Sequence, residues 1–171
     1  MTEKGKKIRN VVIAIILLLA LIQLYRPVRN LSNDNTHDIS TVYAVPDSVK
    51  TILKTSCYDC HSNSTSYPWY ANIQPVASWL GHHVNEGKGE LNFSAFGTYS
   101  PRRQFHKMDE IVHQMDEHEM PLASYTLVHR DAVMSDAQRM TLSNWANAIK
   151  DTMKVTYPAD SLKMQKRGPR K

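Results

Sequence analysis

Beyond residue 45 the chain repeats apolar positions at helical spacing in four stretches. Val49, Ile52, Leu53 and Ser56 fall at i, i+3, i+4 and i+7 behind Pro46-Asp47-Ser48, which supplies a helix-start signal. Val76, Trp79, Leu80, His83 and Val84 make a second stripe; Pro75 suits the first helical position and Gly87 a stop. Ser100-Pro101 caps a third helix whose buried face is expected to be Phe105, Met108, Ile111, Val112 and Met115, with Asp109, Glu110, Asp116 and Glu117 on the solvated side. Ser135-Asp136-Ala137-Gln138 is a capping box. It opens a last helix to about Met153, with Met140, Trp145, Ala148, Ile149 and Met153 as its apolar content. The pattern predicts an all-α domain over 45–156.

The segments between the stripes are polar or broken by proline. Ser62 to Pro75 reads as a loop holding Tyr67, Trp69 and Tyr70, and Leu91 to Tyr99 as a connector with Phe93 and Phe96. The third helix breaks at Glu119-Met120-Pro121-Leu122, where Pro121 disfavours a helical Met120 and holds it extended. Leu122 to Arg130 is expected to be a further loop, carrying Tyr125.

The N-terminus differs in kind. A basic opening, with Lys4, Lys6, Lys7 and Arg9, precedes an apolar run from Val11 to Ile22, continued past Gln23 by Leu24 and Tyr25. This is the order of an export signal, and no small-x-small cleavage site follows it. The expectation is a single transmembrane signal anchor over 10–27, with 1–9 left in the cytoplasm by the positive-inside rule. A cleaved signal peptide is the rival. Residues 28–44, rich in Asn, Ser, Thr and Asp, are expected to be a polar linker. Residues 157–171 read as a basic, disordered tail. The protein would then sit on the inner membrane as a single-pass chain with its domain on the periplasmic side.

Charge adds an exclusion. The formal charge is +5, from 21 basic and 16 acidic residues, which on its own suggests nucleic acid. Between Thr36 and Tyr157, however, there are ten basic and thirteen acidic residues, a net of −3. The excess positive charge is terminal, and no basic face suggests a nucleic-acid footprint.

The candidate chemistry lies in Cys57-Tyr58-Asp59-Cys60-His61. These are the only two cysteines, spaced as C-x-x-C-H, the pattern that attaches haem c. Each thiol adds across one vinyl group of the porphyrin, and two intervening residues keep both sulfurs on one helical turn. The histidine that follows is expected to be the proximal iron ligand. A structural zinc site usually needs four N or S ligands, and a second cysteine pair is missing. A thioredoxin-type pair belongs in a βαβ setting that is absent around Cys57. A disulfide would close a strained, very small loop.

Met120, in its proline-held loop 59 positions beyond His61, is the expected sixth ligand from the opposite face, where a thioether would raise the potential of a His-ligated haem. A second histidine (His82, His83, His106, His113, His118 or His129) or an open position are the alternatives.

Ser56 to Asn63, Tyr67-Pro68-Trp69-Tyr70, Leu91-Asn92-Phe93-Ser94, Glu119-Met120-Pro121-Leu122 and Ser124-Tyr125-Thr126-Leu127 together resemble a class I cytochrome c. More narrowly, they are similar to a small bacterial haem-binding domain family that pairs a short N-terminal anchor with a C-x-x-C-H domain. The resemblance spans about Tyr43 to Met153. It implies one covalent haem c held by Cys57, Cys60 and His61, with Met120 a weaker carry-over. The expected function is electron transfer to and from redox protein partners, without enzymatic activity. A haem sensor or small-ligand binder, or a peroxidase-like enzyme, would instead require an open sixth position.

Overall fold

A computed structural model describes residues 2–163. Its helices are α1 (Glu3–Ile22), α2 (Asp47–Ser56), α3 (Tyr58–His61), α4 (Val76–Glu90), α5 (Pro101–Asp116), α6 (Ala123–Thr126), α7 (Asp136–Thr156) and α8 (Ala159–Leu162), linked by short 3-10 turns. Among the described residues there is no strand, only an isolated bridge between Leu31 and Ser64. The all-helical expectation for the domain agrees with this.

The long helices start where their caps require. Ser100 accepts from the Arg103 N–H with Pro101 just inside α5, and Ser135 and Gln138 form the reciprocal capping box of α7. These two helices pack along each other and hold most of the core: Met108, Ile111 and Met115 face Leu142, Ile149 and Met153, all nearly or fully buried. Val49, Ile52 and Leu53 bring α2 onto this pair. Phe93 and Phe96, in the turn Phe93–Thr98, close the core between them. Burying each large apolar side chain contributes roughly 1.5–3 kcal/mol.

Two stripes differ from the periodic reading. On α4 the buried positions are Ala77, Gly81 and Val84, while Val76 and Trp79 are exposed. Small residues let this helix approach its neighbours, so its larger apolar residues form a separate, outward face. The helix also runs past Gly87 to Glu90. On α7 Met140 is exposed, and Leu142 and Ala146 take the core positions.

The transmembrane expectation is corrected. Among the described residues, no helix is long and apolar enough to cross a membrane. The reason is length. Glu3, Lys4, Lys6, Lys7 and Arg9 occupy the first turns of α1, and the helix ends at Ile22. The twelve uninterrupted apolar residues from Val11 to Ile22 rise about 18 Å, against a hydrocarbon core of about 30 Å. The expected extension through Leu24 and Tyr25 is not helical. Gln23 caps α1 and exchanges hydrogen bonds with Gln74, donating to its carbonyl (3.1 Å) and accepting from its N–H (2.9 Å). A single-pass anchor over 10–27, and the inner-membrane location built on it, therefore do not stand.

Residues 28–44 lie along the domain. Asn30 donates to Ser62 O (2.8 Å) and Thr65 Oγ1 (2.9 Å) and accepts from Lys88 Nζ (2.6 Å). The Asn33 N–H donates to Asn63 O at 3.1 Å. Ile39 is fully buried, and Tyr43 donates to Gln104 at 2.7 Å. At the other end, α8 puts Leu162 into the core. The expected disordered tail otherwise falls on 164–171, outside the described residues.

Candidate functional site

The cysteine turn sits where α2 stops. Cys57 leaves helical geometry (φ −127°) and α3 restarts as one turn. Within it the His61 N–H donates to Cys57 O (2.9 Å), and buried Ser62 ties the exit back by donating to Tyr58 O (2.7 Å). The two free thiols are both half-buried. Burial, with Cys60 beside it, pushes the Cys57 thiol up to about 12. Burial and the Asp59 charge push Cys60 to about 11. Both thiols are neutral near pH 7.

His61 is oriented by its own chain. Its Nδ1 lies 3.0 Å from the Leu91 carbonyl oxygen. A carbonyl can only accept, so Nδ1 carries the proton and Nε2 keeps its lone pair. Burial lowers the imidazole pKa despite the bonds to Leu91 and Gly87, which raise it. The side chain is thus a neutral imidazole with a fixed tautomer, the state in which imidazole can bind iron. Phe93 packs edge-on to the ring at 6.5 Å.

Met120 borders the same space as the cysteine turn. After α5 the chain turns at His118, in the left-handed region (φ 57°). Gln114 then holds Glu119 through two bonds, donating to its carboxylate (2.9 Å) and accepting from its N–H (3.2 Å). Arg139 on α7 donates to the Met120 carbonyl at 2.6 Å. Met120 itself packs against the core.

Between these segments lie two adjoining compartments of about 410 and 590 Å³ that share Ser56, Cys57, His61, Glu90, Met120 and Pro121. The first is walled by apolar side chains including Leu91, Phe93, Ile111 and Leu142. The second is bordered by Cys60, Gly87, Leu122 and Tyr125. All four residues singled out from sequence border this space. Of the alternative histidines, His113 borders the first compartment and His83 the second. His82 and His106 pair with Glu86 and Glu110, His118 faces Asp136, and His129 bonds Tyr70. The donor set of two thiols, a neutral imidazole and a thioether around an apolar space of cofactor size fits a haem.

Several contributors carry no local sequence signal. A carbonyl, Leu91 O, orients His61. Asp59, inside the motif, accepts from Tyr125 at 2.7 Å and from the Ser66 N–H at 3.0 Å. Gly87, read as a helix stop, is the contact point of α4 with the cysteine turn. Lys107 is buried and paired with Glu110 (2.5 Å) and Glu90 (3.4 Å), two carboxylates that border the first compartment.

A family model described as a haem-binding domain matches residues 17–148. No curated protein and no solved structure matches the chain.

Proposed function

Because the chain belongs to the haem-binding domain family, and so is a haem-binding protein, we propose that it is a monohaem c-type cytochrome that passes single electrons. Cys57 and Cys60 hold the porphyrin through thioethers, His61 ligates the iron from their side, and Met120 ligates it from the other. The observation that carries this reading is the convergence of the C-x-x-C-H turn and the Met120 loop on one apolar cavity.

A bound haem would supply a one-electron couple whose potential is tuned by its axial ligands and burial. The chain supplies the rest. Leu91 O fixes the His61 ring, so the ligand needs no reorientation. Arg139 and Gln114 hold the Met120 loop on two helices. Leu91, Phe93 and Ile111 give the first compartment an apolar wall. Two filled axial positions and a rigid frame favour electron exchange with little rearrangement.

The test is haem staining on a denaturing gel, after expression in a host that matures c-type cytochromes. Haem that stays with the band supports covalent attachment through the cysteines. A folded protein that releases its haem would sink the c-type assignment and leave a non-covalent haem site.

A further inference from the structure

Tyr125 and Asp59 stand 66 positions apart, one just beyond the Met120 loop, the other between the two cysteines. The Tyr125 hydroxyl donates to Asp59 Oδ2 at 2.7 Å. Asp59 is itself fixed: its Oδ1 accepts from the Ser66 N–H (3.0 Å) and its carbonyl from Thr65 Oγ1 (2.6 Å). On the other side, the Tyr125 ring stacks on His129 (4.3 Å between centroids, 15° between planes), and His129 Nε2 lies 2.6 Å from the Tyr70 hydroxyl. The ring is thus clamped where its hydroxyl meets Asp59, and both residues border the second compartment.

Apart from the His129–Tyr70 contact, residues 122–130 show little packing against the domain. Leu127 and Val128 are 69% and 58% exposed, and α6 is a single turn whose backbone bonds, such as Tyr125 N–H to Leu122 O, are local. A hydrogen bond to an ionised carboxylate is among the stronger ties available to such a segment.

We propose that Tyr125 is a positioning residue: its bond to Asp59 latches the segment that follows Met120 onto the cysteine turn, and so limits access of outside ligands to the iron on the Met120 side. The role of Met120 in this statement rests on the function proposed above; the latch between the two segments does not.

The test uses the haem-loaded full chain and Tyr125→Phe, which keeps the ring and its stack but removes the hydroxyl. The probe is imidazole, titrated against the ferric protein and followed by the haem absorbance. Backbone hydrogen exchange is measured over residues 119–130. Loss of the latch is expected to raise imidazole affinity about tenfold, the scale of one charge-assisted bond. Exchange should speed up in 119–130 while α5 is unchanged. Asp59→Asn, which keeps an acceptor oxygen but no charge, should give an intermediate shift, and it serves as the second reading should Tyr125→Phe fold poorly. Imidazole affinity and exchange at wild-type levels in the variants would overturn the latch. If the wild type shows no sign of methionine ligation, the Met120 assignment fails alone, and faster exchange in Tyr125→Phe still supports the latch.

Discussion

Gly87 and Cys60 meet with no side chain between them. A Cβ built on Gly87 would lie 2.8 Å from the Cys60 carbonyl oxygen and 3.1 Å from its Cβ. The obstruction is backbone of the cysteine turn and cannot swing aside. Two effects of Gly87→Ala oppose each other: helix propensity favours alanine by roughly 0.8–1 kcal/mol, and overpacking against fixed atoms costs about 1–3 kcal/mol. The clash should win. Gly87→Ala is expected to destabilise the haem-loaded protein by up to about 2 kcal/mol in denaturant unfolding. Gly89, on the same helix, has nothing within 4 Å of its Cβ position, so Gly89→Ala should stabilise by about 0.5–1 kcal/mol. Equal effects at both sites would show that the approach of α4 to the turn is not tight.

Trp145 ties the segment before α2 to α7. Its Nε1 donates to Ala44 O at 3.0 Å across 101 positions, and the ring is 7% exposed. Trp145→Phe keeps an aromatic ring but loses the donor and part of the volume. The expected cost is about 1–3 kcal/mol, from the lost bond and the space left. Hydrogen exchange should rise over residues 39–46 before it does elsewhere. An unchanged midpoint would mean that Ala44 is held without the indole.

What could be read from sequence follows from how local each determinant is. The starts of α5 and α7 were legible because Ser100-Pro101 and Ser135 to Gln138 act on their own first turns. Cys57, Cys60 and His61 were legible as candidates because five consecutive residues contain them. The buried face of α4 was not, since Ala77 and Gly81 look weakly apolar and bury through closeness rather than size. Residues 28–44 look like a tether by composition, yet Asn30, Asn33 and Asn35 bond to partners about thirty to sixty positions away. The apolar run of α1 resembles a membrane anchor in order but is too short and too charged at its start. The bond of Tyr125 to Asp59 has no local signature at all.

Haem attachment should matter for folding as well as function. Without a cofactor, the apolar walls of the two compartments, about 410 and 590 Å³, would collapse or admit water. Binding to the native state alone adds stability by mass action, and a covalent link through the cysteines would make that contribution permanent. Cys57→Ala combined with Cys60→Ala should therefore lose haem staining. Its unfolding should be broad, at a lower midpoint and with a smaller denaturant slope, the sign of less surface released. Cooperative unfolding at the wild-type midpoint would contradict this.

Met120 offers the sharpest chemical test, because its loop can be kept while its sulfur is removed. Arg139 bonds the Met120 carbonyl and Gln114 bonds Glu119, contacts that Met120→Ala leaves in place. The variant should retain covalent haem, since Cys57, Cys60 and His61 lie on a separate segment. It should lose the ferric methionine–iron charge-transfer band, and its reduction potential should fall, because a thioether stabilises the ferrous state relative to water or a nitrogen ligand. His83 and His113 border the two compartments and are the candidate substitutes for the missing sulfur. A new bis-imidazole spectrum in Met120→Ala that disappears in Met120→Ala with His113→Ala would identify His113 as the replacement. A band and potential identical to wild type would remove Met120 from the iron and leave one of those histidines, or an open site, as the sixth position.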